Sequence, residues 1–335
     1  MICAGCLKQV EETGYCKKCL KELFSGKKVS DILPFNSPYN EESELFRDNT
    51  KKISISGVQV KYSMRLENDQ LVLTDKGGQY ILKPIPTGQF PLLDQAPANE
   101  HLTMQLAKQV FGISVPPNGI IHFSDHSPAY LVKRFDVRED GTKYQQEDFA
   151  QLAQMTAETR GKDYKYDLSY EEIGLLIRKY IPMYAVEVEK FFRLVLFNYI
   201  FSNGDAHAKN FSVIRTDQGD YVLTPAYDLL CTRFHAPGES DTALMLLKDR
   251  FTTAFDDHGF YTHFDFLEFG KVLGIKESRV IRIIDFFNGK ESIVDSLIDA
   301  SFLRDDVKDR YKQMYKDKLT RLQVKFTPPQ QAVVH

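Results

Sequence analysis

Asp205-Ala206-His207-Ala208-Lys209-Asn210 follows a long apolar stretch and precedes a hairpin-like pattern. An Asp, a Lys and an Asn in that order suit phosphoryl transfer. Asp205 accepts or orients a hydroxyl proton, Lys209 meets developing phosphate charge, and Asn210 offers an oxygen to Mg2+. Asp228, in LTPAYDLL at the end of the hairpin, supplies a second hard oxygen ligand. The competing reading is a turn in which Asp and Asn satisfy local backbone groups.

Lys83 shifts the balance. It sits in YILKP, a strand pattern whose apolar neighbours imply burial, and a buried ammonium needs an anion. Glu100, on the helix pattern that follows, is the expected partner and would hold Lys83 toward ATP phosphates. The alternative is a lysine snorkelling to water beside a solvated glutamate. Upstream, SISGVQVK places Ser54, Ser56 and Gly57 where a phosphate-covering loop belongs, although a single glycine makes that motif weak. In AYLVKRFD, Lys133 and Phe135 fit a hinge whose backbone meets the adenine edge. A core strand with an exposed Lys-Arg pair reads the same way. No GxSxG elbow, HExxH helix or GxxxxGK[ST] loop offers competing chemistry.

Four of the five cysteines lie within the first 19 residues, as Cys3-x2-Cys6-x9-Cys16-x2-Cys19. Two such knuckles suit one tetrahedral four-thiolate Zn2+ site, structural because no coordination position stays open. A pair of disulfides is the alternative, disfavoured in a reducing compartment. Neither an apolar secretion signal nor an unbroken membrane-spanning run is present, so a cytoplasmic location is expected. A net charge of −3 gives no sign of a nucleic-acid or membrane-surface binder.

The elements that must position these residues change character along the chain. We expect a four-cysteine arm over 1–22, a linker over 23–50 and a small strand-rich N-lobe with one amphipathic helix over 51–137. A larger helical C-lobe follows over 138–326, with a disordered tail at 327–335. The Gly77-Gly78 pair marks a hairpin, and Ser169 with Glu172 a helix-capping box. The resulting fold class is α+β, a two-lobed protein-kinase-like architecture with the chemistry between the lobes.

The ordered pieces SISGVQVK, YILKP, ANEHLTMQLAKQVFG, YLVKRFD, QEDFAQL, GDAHAKNFSV and LTPAYDLL resemble the HipA family of toxin kinases over roughly residues 50–320. DAHAKNF with LTPAYD is the specific signature. The resemblance implies a HipA-like fold, with Asp205 as catalytic base, Asn210 and Asp228 as Mg2+ ligands, and Lys83 as the ATP-phosphate lysine. It further implies autophosphorylation at Ser54, with Ser56 giving the Ser-x-Ser arrangement of the shorter HipT-type members. Phosphate there adds about −1.5 to −2 charge, which opposes ATP binding. HipA proper carries an extra N-terminal subdomain where this chain has its cysteines.

By that resemblance the chain is expected to be an ATP- and Mg2+-dependent serine/threonine kinase of a toxin–antitoxin system. Its substrate would be a translation protein, an aminoacyl-tRNA synthetase, and its partners small antitoxin proteins, one of them DNA-binding. The alternative is a nucleotide-binding pseudokinase or partner-binding module recruited through the four-cysteine arm.

Overall fold

The computed structural model describes residues 1–39, 60–324 and 326. The positions of Ser54, Ser56 and Gly57, and the expected tail at 327–335, lie outside them. The chain divides into two discontinuous compact units. One comprises Met1–Gln145, Pro225–Gly238 and Ser292–Tyr311; the other comprises Gln146–Thr224, Glu239–Glu291 and Lys312–His335.

In the first unit, helix α1 (Lys17–Phe24) precedes strands β1 (Tyr62–Glu67), β2 (Gln70–Leu73) and β3 (Tyr80–Pro84). Helix α2 (Ala96–Gln109) and strands β4 (Asn118–His122) and β5 (Pro128–Lys133) follow. The strands form one antiparallel sheet in the order β2-β1-β3-β5-β4. Asn68 and Asp69, both at positive φ, make the tight β1–β2 turn, a conformation these short polar residues tolerate. Residues 31–33 run beside β4: Leu33 N–H donates to His122 O at 2.7 Å and His122 N–H to Asp31 O at 2.8 Å. That pairing covers an edge that would otherwise expose its backbone groups.

The cysteine-bearing segment shares this unit's core. Leu23, Phe24, Val29 and Leu33 pack with Tyr62, Met64, Leu71, Tyr80, Leu82, Ile121, Phe123, Ala129 and Leu131. The apolar residues thus run straight through the expected boundary between arm and linker.

Helix α2 departs from the expected one-faced pattern. Every residue from Ala96 to Ala107 is buried, including Asn99, Glu100, His101, Thr103 and Gln105. Polar groups are tolerated inside because they are paired. Asn99 donates to Cys231 O at 2.9 Å and accepts from Cys231 N–H at 3.0 Å; Gln105 donates to Asn118 Oδ1 at 2.9 Å. Thr103 and Tyr311 hydroxyls bond at 2.7 Å.

The second unit begins with β6 (Gln146–Asp148), α3 (Phe149–Leu152) and α4 (Ala157–Arg160), then α5 (Tyr170–Tyr180) and α6 (Tyr184–Ile200). The hairpin β7 (Ser212–Arg215) and β8 (Tyr221–Leu223) completes a three-stranded sheet in the order β6-β7-β8. Helices α7 (Thr253–His258), α8 (His263–Val272) and α9 (Glu277–Phe287) come next. Helix α10 (Glu291–Asp299) and the start of α11 (Asp305–Leu322) belong almost wholly to the first unit, the rest of α11 to the second.

The core of this unit is aromatic. Phe191, Phe192, Phe211, Phe266, Phe269 and Tyr170 meet largely edge-to-face, with centroids 5.2 to 6.5 Å apart. Ser169 caps α5 with Glu172 in the reciprocal arrangement expected. Within the expected helical lobe the EDFAQL stretch begins as a strand: β6 pairs with β7 through Asp148, which then caps four helical residues.

Candidate active site

The first unit holds a buried cluster of charge. Lys83 and Glu100 are almost fully buried, and Lys83 Nζ lies 2.5 Å from Glu100 Oε1 and 2.5 Å from Asp228 Oδ1. The sheet creates this arrangement, since β3 pairs Lys83 with Tyr130 of β5 and turns its side chain toward α2. Lys61, at the approach to β1, places its ammonium 3.4 Å from Asp228 Oδ2. Asp228 adopts a left-handed backbone (φ 54°), which a short acidic residue tolerates.

These groups set one another's protonation. Burial alone would lower the Lys83 pKa, but the Asp228 and Glu100 carboxylates outweigh it and hold the lysine charged. Burial alone would raise Asp228, and the Lys61 and Lys83 ammoniums overcome it, keeping this carboxyl well below its ordinary range. Glu100, more deeply enclosed, is raised by burial despite Lys83. The result is an ionised carboxylate at Asp228, a hard oxygen donor suited to Mg2+.

The second unit presents the DAHAKN loop between α6 and β7. Its backbone is pinned from several sides. Tyr170 OH donates to Ala206 O at 2.8 Å, Asn203 Nδ2 to Asn198 Oδ1 at 3.0 Å, and Asp205 N–H to Asn203 Oδ1 at 3.3 Å. Buried Glu187 of α6 accepts from Leu223 N–H at 2.8 Å and so ties the following hairpin to the same helix. On this base Asp205 is exposed and accepts a 2.5 Å hydrogen bond from Tyr166 OH. The Tyr166 ring packs edge-on against His207 at 5.3 Å. Lys209 Nζ lies 3.3 Å from Tyr164 OH, and Asn210 Oδ1 accepts from His207 N–H at 3.2 Å.

Lys83, Glu100 and Asp228 therefore meet within one unit, and Asp205, Lys209 and Asn210 share one loop of the other. Lys133 N–H is committed to Pro117 O at 2.8 Å, so it is not a free donor for an adenine edge. The Phe135 ring stands 5.8 Å from Tyr227. Sequence reasoning assigned no role to Lys61, Tyr164 or Tyr166. A signal existed for Lys61, which closes the SISGVQVK motif; the tyrosines lie some 40 residues before their partners in an irregular stretch without periodicity.

The cysteines form a third cluster. The Sγ atoms of Cys3, Cys6, Cys16 and Cys19 lie within 4.8 Å of one another, and all four are free thiols. Cys6 and Cys16 Sγ are 3.8 Å apart. That matches the edge of a tetrahedron with Zn–S bonds of about 2.3 Å, which is about 3.8 Å. Gly5 N–H and Cys16 N–H donate to Cys3 Sγ at 3.4 and 3.2 Å, the outer contacts of a thiolate ligand. A Cβ on Gly5 would stand 2.7 Å from Cys19 Sγ, so glycine is required where the loop folds over the sulfurs.

Comparison with known proteins gives a consistent picture. The family model described as HipA-like C-terminal domain matches residues 53–292. A Haemophilus influenzae protein named as a kinase is 28% identical over 333 residues, covering 94% of each chain. The serine/threonine-protein kinase toxin HipA of Shewanella oneidensis is 26% identical, covering 61% of this chain and 48% of that protein. The chain thus spans nearly all of the first relative and about half of the second. Among solved structures, the Shewanella HipA chain, in complex with HipB and its operator DNA, superposes with a TM-score of 0.61 at 24% identity. That match covers 80% of this chain and 64% of the other and shows likeness of fold. No helix among the described residues is long and apolar enough to cross a membrane.

Proposed function

Because the chain belongs to the HipA-like C-terminal domain family, we propose that it is an ATP- and Mg2+-dependent protein serine/threonine kinase, the toxin of a HipA/HipT-type toxin–antitoxin system. The observation that carries this reading is the buried Lys83, placed 2.5 Å from both the Glu100 and the Asp228 carboxylates. A buried lysine held charged between two carboxylates is the arrangement that presents an ammonium to ATP phosphates in kinase sites.

In this reading Lys83, oriented by Glu100, pairs with ATP phosphates, and Phe135, two residues beyond the committed Lys133 N–H, faces the adenine. Asp228 and Asn210 are the oxygen ligands for Mg2+, which neutralises phosphate charge when bound. The exposed Asp205 carboxylate accepts the proton of a substrate hydroxyl as that oxygen bonds to the γ-phosphorus and ADP departs. Lys209 offsets charge on the transferring group. Ser54 and Ser56 are the autophosphorylated residues, with Gly57 beside them in the phosphate-covering loop. Cys3, Cys6, Cys16 and Cys19 hold a structural Zn2+.

The HipA neighbour seen with HipB and operator DNA supports a small DNA-binding antitoxin as a partner here. The family resemblance supports a translation protein, an aminoacyl-tRNA synthetase, as the cytoplasmic substrate. Intact-mass measurement after incubation with ATP and Mg2+ tests the reading. A gain of one or two phosphates on Ser54 or Ser56, absent in Asp205→Gln, is the expected result. No gain in wild type, together with unimpaired nucleotide binding, would establish a pseudokinase instead.

A further inference from the structure

The four-cysteine knuckle grips the helix that carries Glu100. His101, the next residue on α2, is buried, and its Nε2 lies 3.1 Å from the carbonyl oxygen of Gly5, between Cys3 and Cys6. Two turns further along, Lys108 Nζ reaches Glu22 Oε2 at 2.6 Å and Gln109 Nε2 donates to Cys6 O at 2.9 Å. The knuckle also grips the sheet. Ile120 N–H of β4 donates to Ala4 O at 2.8 Å, and Tyr15 OH donates to Ile120 O at 2.7 Å. The approach is close: a Cβ on Gly119 would stand 3.0 Å from Ala4 O and 2.9 Å from the Tyr15 ring.

The knuckle has little regular structure of its own to hold this grip. Residues 3–16 contain no helix; a few turn hydrogen bonds, such as Ala4 N–H to Gly14 O at 2.9 Å, and the convergence of the four sulfurs define their shape. In small thiolate sites the binding free energy of the metal is the folding free energy of the loop. The loop that presents Ala4 O, Gly5 O and Cys6 O is therefore shaped when a cation draws the four thiolates together.

We propose that the knuckle is a metal-dependent brace on α2: Zn2+ held by Cys3, Cys6, Cys16 and Cys19 fixes the carbonyl that meets His101, and thereby the adjacent Glu100 that orients Lys83. The link to nucleotide rests on the reading of Lys83 as the ATP-phosphate lysine; the ordering of α2 does not. His101 is a positioning residue, acting through Glu100 and touching no substrate.

The full-length protein tests the brace through three measurements. These are zinc released per chain by a mercurial thiol reagent, amide hydrogen exchange across Ala96–Gln109, and the Kd of a fluorescent ATP analogue. Wild type is expected to release one zinc per chain. Cys6→Ser with Cys16→Ser, chosen because both are half-exposed, releases none. In it, exchange in α2 speeds at least tenfold while exchange in α6 stays within twofold. His101→Leu retains its zinc yet shows the same local acceleration, which separates the brace from a general loss of fold. With the kinase reading intact, Kd rises at least tenfold in both variants. A wild type that binds no zinc, or a metal-free variant whose α2 exchanges at the wild-type rate, overturns the brace. If α2 responds to the metal but even the loaded wild type binds no nucleotide, the brace stands and the ATP reading falls.

Discussion

Lys83 Nζ and Asp228 Oδ1 lie 2.5 Å apart although 145 positions separate them in the chain. With Glu100 on its other side, the lysine is shared by two acids drawn from distant segments. Removing one member of a buried ion pair typically costs about 3–5 kcal/mol, because the remaining charge is stranded. Lys83→Met is therefore expected to lower the urea midpoint sharply. Adding Glu100→Gln should recover much of that loss without restoring nucleotide binding. Equal midpoints for the single and double variants would show that Glu100 is not the stranded charge.

Asp205 and Tyr166 invite a paired comparison. Asp205→Asn is expected to reduce phosphate transfer by about 10²–10⁴-fold, the usual contribution of a positioned general base, with nucleotide affinity unchanged. Tyr166→Phe frees the carboxylate oxygen that the phenol now occupies, and kcat/KM for the protein substrate should rise severalfold. A Tyr166→Phe enzyme as slow as Asp205→Asn would mean that the phenol assists the carboxylate rather than competing for it.

Gly5→Ala should loosen the metal. The added methyl meets Cys19 Sγ at 2.7 Å and Cys19 Cβ at 2.8 Å, and altering the groups around metal ligands typically costs about 10–100-fold in affinity. Competition against a chromophoric chelator should show at least a tenfold loss. Unchanged retention would mean that the loop can shift without disturbing the sulfurs.

Acid should weaken the attachment of residue 37 to the β4–β5 turn. Asp125 accepts from Ser37 N–H at 2.9 Å and from Ser127 N–H at 3.0 Å. Burial alone would raise this carboxyl, but those hydrogen bonds bring it down to about 2. A carboxyl depressed in the fold stabilises fully above its unfolded pKa of about 3.9 and loses that contribution as pH falls toward the folded value. The melting-temperature difference between wild type and Asp125→Ala should be constant from pH 5 to 7 and roughly halved at pH 3. A difference that does not change with pH would place the effect in packing, not charge.

The sequence foretold some features and hid others for identifiable reasons. The Ser169–Glu172 cap and the β7–β8 hairpin were legible because their signals are local, a capping box and a Gly-containing turn between apolar runs. The Lys83–Glu100 pairing was legible because a lysine inside an apolar strand demands an anion. Helix α2 was misjudged as one-faced, since Asn99, His101, Thr103 and Gln105 look like solvent-facing residues. Their partners Cys231, Gly5, Tyr311 and Asn118 lie at distances along the chain that no periodicity encodes. The Tyr166–Asp205 contact was hidden likewise, because nothing local marks which tyrosine reaches an acid 39 residues away.

The discontinuity of the first unit also bears on how the protein comes into being. Synthesis runs from the N-terminus, yet α2 and the residue before it find partners in residues made 208 and 209 positions later. Tyr311 OH bonds to Thr103 at 2.7 Å, and Arg304 N–H donates to Gln95 Oε1 at 2.9 Å. A nascent chain that has passed Asp228 but not Arg304 carries Lys83, Glu100 and Asp228, yet lacks the residues that bond Thr103 and Gln95. The ribosome must deliver residues through Tyr311 before the packing around α2 in the first unit is complete, so a message interrupted earlier yields a chain that holds the charged residues but not the finished unit around them.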